Sequence, residues 1–487
     1  MFRSDFPIFE NKTNLVFLDS ASSAQKPQKV IEAMSDFFAN SYANIHRGAY
    51  DLSMDSSLLY ERAKEKVAQF LGADSYHEIV FTYNATYAFN LIARSLVKTG
   101  ILGKGDTVLL TKADHHANIV PWQILAEEYG IVIEWVDLHA DGTIDYADLE
   151  KKIPHAKVVS ISGASNVTGE VLDLDRVKRI LDILDTPLGG GDARRAEGDS
   201  SGTISPPTPP HRGAFHRIKP LFILDGSQRF PHMETDVQKY GIDIFVGTGH
   251  KVMSDTGIGF FYARRELLKT MIPAFCGGGA INHVSLDGYA PAGLPFRHEP
   301  GTPHIAGAVS LLAALEYIES IGGFTAIEKY EQELVEYTLQ RLDEYRLLHS
   351  PEKGRCPTTS LLRGEDSPDS VANQGGFAVE DRGVCSENSE TNPSSPLIIG
   401  ASGIRILGSH KSKNRLGVFS FVFENHHPND IAEMLADEGI CVRSGHHCTE
   451  PLHNFFGIGG SVRMSLYIYN TKEDIDRFFE VLMKVVK

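Results

Sequence analysis

The sequence predicts an α/β protein whose larger part rests on a mainly parallel sheet, followed by a smaller α+β part. Three observations carry that prediction. Short apolar runs recur through the first half, and each closes on small or polar residues. Amphipathic stretches separate these runs, which is the alternation of a parallel sheet joined by helices. Beyond about residue 319 the order changes to helices, such as "AIEKYEQELVEYTLQRLDEY", mixed with the strands "RLGVFSFVFE" and "SVRMSLYIYN". We place the larger unit at 20–318 and the smaller one at 1–19 together with 319–487.

Taken in order, "HEIVFTYNAT" (77–86) reads as a strand turning into a helix, and "DTVLLTKAD" (106–114) as the next strand. "KVVSISGASNVTG" (157–169) is a buried strand with a polar end, and "LFILDGSQ" (221–228) and "GIDIFVGTGHK" (241–251) repeat the pattern. In such folds ligands bind outside the carboxyl ends of the strands. Two stretches break the rhythm. Residues 186–220 are rich in Gly, Pro and Ser, and about 350–400 are polar, so both read as flexible surface insertions.

The chain has 487 residues and a formal net charge of -16. Phosphate-backbone binding needs a basic surface, so nucleic acid is not the expected partner. The first residues lack the apolar core of a secretory signal, and no run of about 18 apolar residues suggests a membrane span. Five cysteines without C-x-x-C spacing read as reduced thiols, and we expect a cytoplasmic protein. Cys356 and Cys385 fall in the second insertion. Cys441, after the apolar "EGI", reads as a buried strand residue.

The strand ends carry the chemistry. Asp225 closes an apolar strand, where an acid is costly unless a cation meets it. The protonated ring nitrogen of pyridoxal phosphate is such a cation, and an Asp beside it keeps the ring an electron sink. Capping the next turn is the structural alternative for Asp225. Lys251 lies 26 residues further on, at another strand end. A desolvated lysine has a lowered pKa and forms Schiff bases, whereas a surface lysine only snorkels. His115 and His116 follow the strand of "DTVLLTKAD". A histidine ring stacks on a flat cofactor, and adjacent histidines without a spaced third ligand make a poor zinc site. We expect no metal. Asn166 ends another strand, where its amide reaches a ring hydroxyl or merely makes a turn. Thr86 and the backbone N–H groups of "TYNATYAFN" suit a phosphate at a helix N-terminus, with a simple N-cap as the alternative. In "CVRSGHHCTEPL" Cys448 reads as a mobile, partly exposed loop cysteine, with metal ligation or an inert thiol as alternatives. Arg463 in "SVRMSLYIYN" suits a substrate carboxylate, or a structural ion pair.

With these residues assembled, the sequence resembles the group II cysteine desulfurases of the SufS/CsdA type, within the class V aminotransferases. The likeness runs from "LDSASSAQKPQKVIEAM" and "ANIHRGAYDLS" through "HHANIVPWQ", "SNVTGE", "LDGSQRFPHMETDVQ", "GTGHK" and "TGIGFFYARRELL". It ends with "RHEPGTPHIAG", "RSGHHCTEPL" and "RMSLYIYNTKEDID". It implies fold type I of the pyridoxal-phosphate enzymes and a reaction that takes sulfur from L-cysteine, leaving L-alanine and a protein persulfide. It implies Lys251 as the Schiff-base lysine, Asp225 on the ring nitrogen, His115 stacked on the ring, and Asn166 and Gln228 near the ring hydroxyl. Thr86, Thr248 and His250 would hold the phosphate, and Thr302 would reach it from the other subunit of a homodimer. Arg463 would hold the substrate carboxylate and Cys448 would take the sulfur. The family further implies a sulfur-acceptor protein serving iron–sulfur cluster assembly.

The chain departs from the pattern in places. Asn84, Ala85, Thr86 and Tyr87 stand where a Gly-Thr-Thr-Glu turn is usual, which removes one phosphate-binding hydroxyl and predicts weaker cofactor binding. Asn tolerates a left-handed backbone at such a turn. Thr248 replaces a usual serine, "SNVTGE" the usual "SNVLGT", and Thr449-Glu450 a neutral pair. Competing functions are selenocysteine lyase, a kynureninase-like cleavage or transamination on the same fold, since fold does not fix reaction. From another class, the altered turn suggests a cofactor-poor scaffold or sulfur-relay partner.

Overall fold

The computed structural model describes residues 2–46, 48–185, 219–348 and 403–486. The expected insertions lie outside the described residues, save Lys219 and Pro220, and so do Cys356 and Cys385.

A seven-stranded sheet organises the first part of the chain. Its spatial order is Ile79–Thr82, Gly259–Ala263, Ile244–Thr248, Leu221–Asp225, Val158–Ser162, Thr107–Thr111 and Val132–Val136. All neighbours run parallel except Gly259–Ala263, which is antiparallel to both strands beside it. The central strands read as unbroken apolar runs because helices cover both faces. Side-chain alternation assigns each face. Val159, Ile161, Phe222, Leu224 and Phe245 pack into one cluster with the helices Asp51–Leu71, Leu174–Asp185 and Ile305–Ser320. Val108, Leu110, Val158, Ile223 and Val246 pack into another with the helices Ala85–Lys98 and His116–Tyr129.

Register then aligns the strand ends. Asp225 stands opposite Ser162 on one side and Val246 on the other. Gly163 N–H donates to Asp225 O, and Gly226 N–H to Val246 O. The polar residues that follow three neighbouring strands therefore emerge side by side.

A second, antiparallel sheet has the order Ile404–Ile406, Val418–Phe423, Ser461–Ser465, Arg443–Gly445. The helices Gly323–Leu348, Pro428–Asp437 and Lys472–Val485 pack on it through Leu334, Leu435, Phe478 and Phe479. Near the N-terminus, Val16–Phe17 pairs in parallel with Ile440–Cys441, and Arg3 meets Asp474 at 2.8 Å. Cys441 lies on a strand as expected but is only half-buried, because its strand is two residues long and has one partner. Among the described residues no single helix is long and apolar enough to cross a membrane.

Candidate active site

A cavity of about 310 Å³ opens at the carboxyl ends of these strands. Its wall brings together Thr86, His115, Asn166, Asp225, Gln228, Thr248, His250, Lys251, Cys448 and Arg463, all singled out from the sequence. Thr302 does not line it and is exposed.

Lys251 ends a single 3-10 turn, Gly249–Lys251, that follows Ile244–Thr248 directly. Its side chain keeps part of its surface open to the cavity, while protein packs densely around the rest. Its Nζ makes no hydrogen bond among the described residues. Desolvation lowers its pKa to about 8, against the pull of Asp225. Asp225 is buried, and its Oδ1 accepts the N–H of Ser227 at 2.9 Å. Burial raises its pKa, more than Ser227, through its side chain and backbone, and then Lys251 lower it. A carboxyl so placed suits a cationic hydrogen-bond donor arriving from the cavity.

His115 caps the helix His116–Tyr129: its Nδ1 accepts the N–H of Ala117 at 3.0 Å. Burial first, then the Lys251 charge, depress its pKa to about 3. The ring is therefore neutral, and with Nδ1 an acceptor the proton sits on Nε2. His250 is held neutral in the same way, at about 4, by burial and then Lys251 and Lys26.

The helix Ala85–Lys98 opens at the cavity with Ala85 and Thr86 in the wall. Asn84 does not use the left-handed backbone that asparagine tolerates. Asn84 is extended, with φ -173°, and caps the helix by accepting Tyr87 N–H at 2.9 Å. Asn satisfies the turn as a cap, so it needs no strained conformation. Gly259 runs directly beneath: a Cβ there would come within 2.7 Å of Asn84 Cα.

Cys448 is exposed on a turn in which both His447 (φ 52°) and Cys448 (φ 56°) are left-handed. The turn is pinned rather than slack. Asn166 Nδ2 donates to His447 O at 2.7 Å, and Thr449 Oγ1 to Asn166 Oδ1 at 3.0 Å. His116 N–H donates to Cys448 O at 2.8 Å, and Glu450 N–H to His116 Nε2 at 3.0 Å. Asn166 thus lines the cavity with both polar atoms of its amide engaged by the cysteine turn. The paired histidines divide their work, His115 toward the cavity and His116 toward that turn.

Arg463 makes the structural ion pair considered for it and also faces the cavity. It lines the cavity, yet its Nη2 meets Asp19 at 3.0 Å and Ser22 Oγ at 2.6 Å, and its Nη1 donates to Asn166 O. Arg443 shares the same carboxylate at 3.1 Å. One acid therefore serves two guanidiniums, and the corner of the cavity stays cationic. Asp19, Ser22, Ser227, Arg443 and His447 were not singled out from the sequence. Their stretches "LDSASS", "LDGSQ" and "RSGHHC" carry the family resemblance, which was the available signal.

The wall fits pyridoxal phosphate. Ser227 Oγ, Gln228 Oε1 and Thr248 Oγ1 are buried polar atoms without a hydrogen-bond partner among the described residues, and all belong to residues of the wall. Such atoms are rare in folded proteins unless a ligand or water completes them. With them come an acid for a ring nitrogen, an amine for an aldehyde and a helix N-terminus for a phosphate.

Comparison with known proteins agrees. The aminotransferase class-V family model matches residues 16–183, 198–361 and 396–478. A probable cysteine desulfurase of Halalkalibacterium halodurans is 34% identical over 483 residues, covering 98% of this chain and 96% of that protein. One from Synechocystis is 33% identical, covering 100% and 95%. Among solved structures, the apo cysteine desulfurase of Thermococcus onnurineus superposes with a TM-score of 0.77 at 31% identity, covering 99% of this chain and 97% of that one. The Escherichia coli cysteine desulfurase CsdA, in its S-sulfonic acid form, gives 0.73 at 27% identity over the same shares. By its fold, its cavity and these relatives, the chain belongs to the aminotransferase class-V family, as a pyridoxal-phosphate-dependent enzyme of the cysteine desulfurase kind.

Proposed function

We propose that the enzyme removes sulfur from L-cysteine, leaving L-alanine and a persulfide on Cys448. The observation that carries this is one cavity wall holding Lys251, Asp225 and the Cys448 thiol together. Lys251 and Asp225 alone would suit many reactions of the fold; a thiol at the same cavity suits sulfur transfer.

Asp225 would hold the ring nitrogen, His115 the ring face, Gln228 the ring hydroxyl, and Thr86, Thr248 and His250 the phosphate. Bound there, pyridoxal phosphate supplies a carbonyl for the substrate amine and a ring that takes up the electron pair released at Cα. The chain's own residues do the rest. Arg463, still carrying a buried Nε without a partner among the described residues, orients the substrate carboxylate. Lys251, with its pKa near 8, is partly unprotonated at neutral pH and accepts the Cα proton. His115 stays neutral with its Nε2 proton available to the cavity. The Cys448 thiolate attacks the substrate sulfur. The new S–S bond forms as the substrate C–S bond breaks, and protons returned to the carbon skeleton complete alanine.

The reading extends to a homodimer in which Thr302 reaches the partner's phosphate site. It is supported by the exposure of Thr302 away from its own cavity and by the exposed apolar side chains of Tyr83, Phe275, Val284 and Leu286. It also includes a cytoplasmic location and delivery of the persulfide sulfur to an acceptor protein for iron–sulfur cluster assembly. The exposure of Cys448 supports delivery, since a partner has to reach it.

The test is incubation of the holoenzyme with L-cysteine, assaying alanine and persulfide on Cys448. Cys448→Ala is expected to yield neither. Alanine formed by that variant at the wild-type rate would overturn the thiol's role.

A further inference from the structure

We propose that a second cavity, reached by the residue after Gln228, binds a small zwitterion bearing a carboxylate and an ammonium group, of the amino-acid class. The proposal is independent of the reaction at Lys251.

The cavity measures about 450 Å³, within the range of small-molecule sites. Arg229 lines it and is only 7% exposed. Of its five N–H donors, Nε alone is used among the described residues, by Thr235 Oγ1 at 2.9 Å. Its Nη1 is buried without a partner, and no carboxylate of the described residues comes within ion-pair distance. Arg415, 6% exposed, lines the same cavity. It gives its Nη atoms to the carbonyls of Ser409 and Val418, and its Nε is buried without a partner among the described residues. Burial holds both guanidiniums below their usual pKa. Buried cations with unmatched donors are costly, and a carboxylate accepting on the fork of Arg229 would relieve that cost.

The lining is not simply cationic. Glu331 belongs to it but is engaged by His232 at 2.8 Å. Glu328 and Asp175 also line it and make no ion pair among the described residues. A bare anion would meet these acids as well as the arginines. A zwitterion places its carboxylate at Arg229 and its ammonium toward Glu328.

The test is calorimetric titration of the holoenzyme with L-proline, with cyclopentanecarboxylate lacking its nitrogen, and with pyrrolidine lacking its carboxylate. Proline is a secondary amine and does not mimic the primary amine of the substrate at Lys251. One saturable site is expected for proline, at least about tenfold tighter than for either fragment. Arg229→Gln should weaken proline by about tenfold or more. Glu328→Gln, at an exposed position away from the first cavity, should weaken proline and leave cyclopentanecarboxylate unchanged; it serves even if Arg229→Gln fails to fold. Three results would each overturn the proposal. They are no saturable binding up to about 50 mM, cyclopentanecarboxylate binding as tightly as proline, or proline binding unchanged in Glu328→Gln.

Discussion

Replacing Thr449 with valine should slow sulfur transfer without disturbing the cofactor. Thr449 is fully buried and does not line the first cavity; its hydroxyl donates to Asn166 Oδ1 at 3.0 Å. Valine keeps the shape and removes the donor. The turn it helps hold contains two consecutive left-handed residues, His447 and Cys448. That backbone costs about 1–2 kcal/mol per residue. The opposing hydrogen bonds, to His447 O, to Cys448 O, from Glu450 N–H and from Thr449 itself, are worth about 0.5–1.5 kcal/mol each. The two sides are of similar size, so the turn is held by a small margin. Removing one bond and stranding a buried acceptor costs about 1–3 kcal/mol. That is enough to leave a large fraction of molecules with Cys448 misplaced, so we expect persulfide formation to slow about two- to tenfold. The assay is a rapid-quench single turnover with L-cysteine, with the absorbance of the bound cofactor followed in parallel. Persulfide formed at the wild-type rate would refute the reasoning. Loss of cofactor in step with the rate would refute it equally, because Thr449 would then support the fold rather than the thiol.

Other outcomes follow from the same geometry. The rate at which apoenzyme takes up pyridoxal phosphate should rise with pH and level off above about 8, as Lys251 loses its proton; stopped-flow absorbance would show it, and a rise continuing past about 10 would mean an ordinary lysine. Asp225→Asn should weaken cofactor binding yet leave the apoenzyme at least as stable as wild type. The folded-state pKa of Asp225 is raised, so its contribution to stability is lost as pH rises through that pKa, and the advantage of asparagine should grow toward higher pH in thermal melts. Gly259→Ala should reduce cofactor affinity by pushing the start of the helix Ala85–Lys98 off the cavity, since the new Cβ would sit 2.7 Å from Asn84 Cα; equilibrium dialysis of the cofactor measures it.

The sequence by itself determined the parallel sheet and the residues at its strand ends. An acid or lysine closing an apolar run is a local signal, because burial of a charge needs a reason wherever it occurs. Asp225 and Lys251 were legible for that cause, whereas the role of Cys448 rested on the quoted segments that carried the family. Asn84 marks the limit of local reading: its side chain suits a left-handed turn or a helix cap, and only its extended backbone and the bond from Tyr87 N–H show which is used. The tertiary structure alone decided the partnerships. Asp19 meets Arg443 and Arg463 from 424 and 444 residues away, and Asn166 holds the turn around Cys448 from 281 and 283 residues away. Hydrogen bonds of 3 Å between such distant segments depend on sheet register and helix packing summed over the whole chain, and no local pattern of residues encodes that sum.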